Sequence, residues 1–173
     1  MLAIIIVILA VVSDQITKYF VVQAANPVNG ASDWAREFIP GVLSFSYAEN
    51  KGGGWSILNG GGWERVALLG TSLVAMALIV YILIKFYKRH PLINIALSMI
   101  LGGAIGNMID RIRLGYVVDF LTTEFMKFPI FNVADCFVSV GCVLAIVSVL
   151  FIDRWILFDD KDKKKVSGEK NDK

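Results

Sequence analysis

Histidine occurs once in the 173 residues and cysteine twice, and this scarcity excludes several chemistries at the outset. His90, with no Cys/His cluster beside it, builds neither a metal centre nor a serine and histidine pair. Cys136 and Cys142 both lie in the last apolar stretch, where a small hydrophobe is the default role and a disulfide framework is not expected. Charge is scarce as well. There are 17 basic and 15 acidic side chains, and 13 of these fall in the 21 residues from Asp153 onward. The body of the chain is correspondingly apolar: 56% of all residues are hydrophobic and the mean hydropathy is +0.64, a membrane-protein composition. A net charge of +2 gives no reason to expect a nucleic-acid partner, and the length suits one domain.

What is present is a set of apolar runs at about 1–22, 66–84, 92–109 and 133–152. Each is near the ~20 residues that carry a helix across a ~30 Å hydrocarbon core. The predicted fold is an all-α membrane protein of four transmembrane helices with a small strand-rich extracytoplasmic loop domain. The first run could be read as a cleaved signal peptide, but it lacks a basic start, contains Asp14 and Lys18, and shows no small-residue cleavage site. Four crossings return both termini to one side, together with the short turn carrying Lys85, Lys88 and Arg89, and the excess of basic residues makes that side cytoplasmic. Residues 1–158 form the membrane domain, and the mixed-charge tail 159–173 reads as disordered. The loop 23–65 alternates apolar and polar residues in Val42-Leu43-Ser44-Phe45-Ser46-Tyr47 and carries glycine triplets at Gly52 to Gly54 and Gly60 to Gly62. This predicts a strand-rich platform, with Trp34, Trp55 and Trp63 suited to the headgroup level.

Ionisable groups inside a spanning helix cost ~2.5 to 3.5 kcal/mol each on the lenient insertion scale, so each needs a reason. Asp14, Thr17 and Lys18 share one helix face; so do Asn107, Asp110 and Arg111; Asn132 and Asp135 open the last helix. At 1.5 Å per residue Asp14 lies ~20 Å, and Asp110 ~27 Å, from the cytoplasmic end of its helix. Asp135 enters at the other surface, beside the segment containing Asp119. The polar groups are therefore expected to converge near the outer surface. Each also has a purely structural reading: Asp14 with Lys18 as an ion pair, Asn132 as a helix cap with Asp135 three residues on, Asp110 and Arg111 as interfacial charges. Gly102-x-x-x-Gly106 is expected to be a helix-packing face. Glu49, Glu64 and Glu124 read as surface charge.

The one catalytic constellation available is a pair of aspartates, Asp119 in Val117-Val118-Asp119-Phe120 and Asp135 in Phe131-Asn132-Val133-Ala134-Asp135. Two carboxyls close together in a partly dry site share a proton, so one activates water while the other donates. Spacing alone leaves two alternatives open. One is a small proton-coupled transporter or channel using Asp14, Asp119 and Asp135 as a relay; the other is a non-catalytic scaffold built on the Gly102 to Gly106 face.

The motifs Asp14-Gln15-Ile16-Thr17-Lys18, Asn50-Lys51-Gly52, Gly102 to Arg111, Val118-Asp119-Phe120 and Phe131 to Asp135 resemble, in order, the blocks of the lipoprotein signal peptidases (signal peptidase II). The resemblance spans the chain up to the tail. It implies a bacterial inner-membrane aspartic endopeptidase that cuts diacylglyceryl-modified prolipoproteins just before the lipidated cysteine. By the same resemblance Asp119 and Asp135 match the catalytic aspartates. Asp14, Asn50, Asn107, Arg111 and Asn132 match positions that support the dyad or contact substrate or the cyclic-peptide antibiotic globomycin; Lys18, Gly52 and Asp110 fall in the same motifs and are grouped with them. Where the family pattern has Asn-x-Gly-Ala-Ala before an aromatic, this chain reads Asn50-Lys51-Gly52-Gly53-Gly54-Trp55, which makes that loop more pliable. No metal or organic cofactor is expected, since water is the nucleophile. The expected partners are prolipoprotein substrates and membrane lipids.

Overall fold

The computed structural model describes residues 1–28, 32–52, 63–85 and 91–152. The tail 159–173, Trp55, the glycines at 53, 54 and 60 to 62, and Lys88 to His90 lie outside the described residues. Among the described residues four helices are long and apolar enough to cross a membrane: α1 (Leu2–Ala25), α2 (Trp63–Lys85), α3 (Pro91–Arg113) and α4 (Val133–Val147), the last continued by a π-helical turn at Ser148–Ile152. α1 ends where Asn26 takes a left-handed conformation (φ 40°) and its N–H caps the Val22 carbonyl. Proline opens α3, where its missing N–H costs nothing. α3 runs four residues beyond the apolar stretch read from sequence, because Asp110 turns inward and is buried.

α3 is the hub. It packs against the other three helices, whereas α2 touches only α3 among the described elements. Glycine makes the close approaches possible: a Cβ on Gly102 would stand 2.6 Å from the Ala10 Cβ, and one on Gly106 would stand 2.6 Å from Asp14 Oδ2. The Gly102 to Gly106 face is thus the α1 packing face, as the small-residue spacing predicts. Gly103 abuts α4 at Ala134 and Val138. The outer flanks of α1, α2 and α4 expose Ile5, Leu9, Leu73, Leu78, Val143 and many similar side chains, which is how a bundle surrounded by lipid presents itself.

At the end of the bundle where α1 and α3 finish and α4 begins sits a three-stranded antiparallel sheet, ordered β1 (Arg36–Ile39), β2 (Leu43–Asn50), β3 (Val117–Thr123). The first two strands fall in the loop expected to be strand-rich. The third comes from the α3 to α4 connection, which the sequence reading treated as loop. A bulge in β2 between Phe45 and Ala48 brings Ala48 opposite Asp119, and Asn50 pairs with Val117. Val118 and Phe120 pack with Tyr47 onto Val21 and Ala25, so the end of α1 is plugged into the sheet. Burial of side chains of this size is worth ~1.5 to 3 kcal/mol each. Trp34 joins this cluster, stacked on Phe45 at 6.4 Å, and is half-buried there.

Candidate active site

Asp119 projects from β3 and is only 3% exposed. Its Oδ1 accepts from Asn132 Nδ2 at 2.7 Å and its Oδ2 from Asn50 Nδ2 at 3.0 Å. Asp135, half-buried, is the third residue of α4. Its Oδ1 accepts from Asn107 Nδ2 at 2.8 Å and its Oδ2 from the Asn132 backbone N–H at 3.2 Å. Asn132 returns the favour, its Oδ1 accepting from the Asp135 N–H at 3.0 Å, so the two close a capping box on α4. The helix-cap reading of Asn132 is therefore correct, and the same side chain also reaches Asp119.

Three asparagine amides face the two carboxylates, and each is held by a donor on its oxygen. Lys18 Nζ donates to Asn107 Oδ1 at 2.9 Å, the Gly52 N–H to Asn50 Oδ1 at 3.2 Å, and the Asp135 N–H to Asn132 Oδ1. With each oxygen so engaged, the NH2 group must turn toward the aspartates. Gly52 earns its place by φ +150° and by closeness to α2, since a Cβ there would stand 2.9 Å from Leu68 Cδ1. Asn107 and Asn132 are also linked to each other, Asn132 Nδ2 donating to Asn107 Oδ1 at 3.0 Å.

Beneath this layer lies a buried ion network. Lys18 Nζ is 2.8 Å from both Asp14 Oδ2 and Asp110 Oδ2. Its three protons are thus divided among two carboxylates and Asn107. Asp14 Oδ1 accepts from the Ala134 N–H at 3.0 Å and Asp110 Oδ2 from the Val118 N–H at 3.2 Å, which ties α1 to α4 and α3 to β3. The reading of Asp14 with Lys18 as a simple ion pair, and of Asp110 as an interfacial charge, gives way to one shared and buried triad. Gln15, which charge-based reasoning passed over, bridges it: its Nε2 lies 3.2 Å from Asp14 Oδ2, 3.2 Å from the Gly106 carbonyl and 3.0 Å from Asp110 Oδ1. Thr17 does not join; its hydroxyl bonds back to the Ser13 and Asp14 carbonyls. Glu49 is more than surface charge, since it accepts from the Tyr47 hydroxyl at 3.2 Å.

Burial pushes the Asp119 carboxyl up to about 6, and the Asp135 charge adds to the rise, while the Asn50 and Asn132 hydrogen bonds pull the other way. Arg111, half-buried at the end of α3, is attracted to Asp135, Asp119 and Asp110. All ten residues singled out from the sequence thus belong to one connected cluster.

Known proteins give the cluster a context. The family model described as Signal peptidase (SPase) II matches residues 6–151. The chain is 45% identical over 140 residues to a lipoprotein signal peptidase of Enterococcus faecalis, covering 81% of each. It is 42% identical over 156 residues to one of Symbiobacterium thermophilum, covering 89% of this chain and 97% of that protein. A bacterial membrane enzyme structure obtained by the in meso method at 1.9 Å superposes with a TM-score of 0.72 at 32% identity, over 87% of this chain and 93% of that one. With the family matched over nearly all of its membrane-spanning length, this chain belongs to the signal peptidase II family and is a membrane protease of the lipoprotein signal peptidase type.

Proposed function

We propose that the chain is an aspartic endopeptidase in which Asp119 and Asp135 form the catalytic dyad, and that it cuts diacylglyceryl-modified prolipoproteins immediately before the lipidated cysteine. The observation that carries this reading is Asn132, which donates to Asp119 while capping the turn that holds Asp135. Two carboxylates held by one residue, Asp119 by the Asn132 side chain and Asp135 by the Asn132 backbone N–H, and close enough for the charge of one to raise the other, are arranged to share a proton. Asp119, raised by burial, is the member that holds it. Asp135, at a helix N-terminus where negative charge is favoured, is the base.

In this mechanism Asp135 takes a proton from water as the oxygen attacks the scissile carbonyl carbon, and Asp119 donates its proton to the carbonyl oxygen. The tetrahedral diol collapses when Asp135 passes its proton to the leaving nitrogen and Asp119 recovers one from a diol hydroxyl. Both carboxyls return to their starting states. Asn50, Asn107 and Arg111 hold the geometry and contact the substrate.

The same reading puts the protein in the bacterial cytoplasmic membrane as one membrane domain, 1–158, with both termini cytoplasmic and the dyad near the outer leaflet surface. A diacylglyceryl cysteine keeps its acyl chains in that leaflet, so the scissile bond meets the dyad at the right depth. Globomycin is the expected inhibitor. The transporter alternative finds no support: a proton relay has to reach across the bilayer, whereas these acids gather at one end of the bundle.

The test is cleavage of a lipidated precursor by membranes carrying Asp119→Asn, Asp135→Asn or both. Each single variant should lose turnover entirely and the double variant should be no worse, because each residue is half of one chemical function. Normal cleavage by either single variant refutes the dyad, and equal cleavage of lipidated and unlipidated precursor refutes the substrate class.

A further inference from the structure

Beyond the helices and Met1, eight large apolar side chains are exposed among the described residues: Val28, Phe38, Ile39, Val42, Leu114, Phe125, Met126 and Phe128. They are not scattered. Six belong to two neighbouring segments, the end of β1 with its turn into β2 and the connection that follows β3. The Glu124 N–H donates to the Val42 carbonyl at 3.0 Å and locks the two segments together. Thr123 Oγ1 donates to the Met126 carbonyl at 3.1 Å and tightens the second one. The result is an apolar tip, with Lys127 beside it, at the end of the sheet away from the dyad.

We propose that this tip is a membrane-docking surface, inserted among the headgroups and upper acyl chains of the leaflet that faces the dyad. From Asp119 to the end of β3 at Thr123 the strand covers four residues, ~13 Å at ~3.3 Å each, and the tip lies beyond that end. A sheet standing upright from the bundle would hold six large apolar side chains in water at that height. A sheet lying along the bilayer buries them, with the lysine at headgroup level where basic and aromatic residues gather. A second copy of the chain is a poor occupant. Six side chains at roughly half exposure offer on the order of 500 Å², short of the ~800 Å² per partner in a standard interface. The bundle is already surrounded by lipid, and the tip needs no other partner. Docking at two points, helices and tip, fixes the tilt of β3 and with it the height of Asp119.

The full chain, with Cys136→Ala and Cys142→Ala and either Phe125→Cys or Asp33→Cys, is coupled to an environment-sensitive fluorophore in vesicles of phosphatidylcholine and phosphatidylglycerol. Retained cleavage of a lipidated precursor establishes that each variant is folded. The probe at the Phe125→Cys site should be several-fold less quenched by aqueous iodide than that at the Asp33→Cys site, and should be quenched by phosphatidylcholine carrying an acyl-chain nitroxide. Equal iodide quenching at both sites overturns the proposal. So does protection that disappears as the protein is diluted in lipid without any nitroxide quenching, the outcome expected if a second copy covers the tip.

Discussion

Asp119→Asn should make the protein inactive and, at alkaline pH, more stable. Burial raises the Asp119 carboxyl from 3.8 to about 6, so the folded state binds its proton more tightly than the unfolded state does. For a group whose folded value is raised, the associated stability is fully present below pH 3.8 and is lost as pH rises through about 6. The gap corresponds to about 3 kcal/mol of stability lost by the wild type at pH 8. Asparagine carries no charge and avoids that loss. It also has only one acceptor oxygen, whereas Asn132 Nδ2 and Asn50 Nδ2 both donate to Asp119. One of those bonds must be given up, at a cost of about 1 kcal/mol. The net expectation is a variant about 1 to 2 kcal/mol more stable than wild type at pH 8 and slightly less stable near pH 4. Thermal unfolding of both proteins in the same detergent from pH 4 to pH 8 measures this directly. A difference that does not vary with pH, or a variant less stable at pH 8, would refute the claim that burial of this carboxyl is a cost carried for catalysis.

Other outcomes follow from the same geometry. If the protonated form of Asp119 is the working one, kcat/KM should fall on the alkaline side with an apparent value near 6. Asn50→Ala removes a hydrogen bond that favours the anion, so that limb should move to higher pH by roughly one unit; a shift downward contradicts the assigned role. Lys18→Met leaves Asp14 and Asp110 buried without their shared cation and should cost about 3 to 5 kcal/mol in unfolding experiments, a loss that the added changes Asp14→Asn and Asp110→Asn should partly restore. A cysteine at Lys88 should be labelled by an impermeant reagent only from the cytoplasm, and one at Gly61 only from outside; the reverse pattern inverts the topology.

The four spans were legible because lipid demands a long apolar run, and the site was legible because lipid makes each polar exception costly. Asp14, Lys18, Asp110 and Asp135 all stood out on that ground. Gln15 did not, since an uncharged amide raises no such alarm, although its three polar neighbours make it a central member of the network. β3 was also missed. Val117-Val118-Asp119-Phe120 lacks clean alternation because both faces of this strand are buried, and its partner lies some seventy residues earlier. The end of α3 was set too early for a related reason: Asp110 and Arg111 look like water-facing residues until Lys18 is known to sit opposite. What sequence could not supply was the direction of each amide, which depends on donors brought together from α1, the β2 end and the α4 start.

The Lys18 triad also bears on how the chain assembles as it is made. Helix α1 enters the bilayer with Asp14 and Lys18 one turn apart, already neutralising each other. Some ninety residues separate Lys18 from the second carboxylate, and α2 is synthesised in between. The stretch of α2 from Val66 to Ile84 holds no Asp, Glu, Lys or Arg, so it offers Lys18 no carboxylate and cannot occupy the α3 position as a decoy. Asp110 is the key that fits, and it fits at one height only, since sliding α3 by a turn would move its carboxylate ~5.4 Å along the axis. A polar pair that raises the cost of inserting α1 thereby selects both the neighbour and the register of the helix that arrives two crossings later.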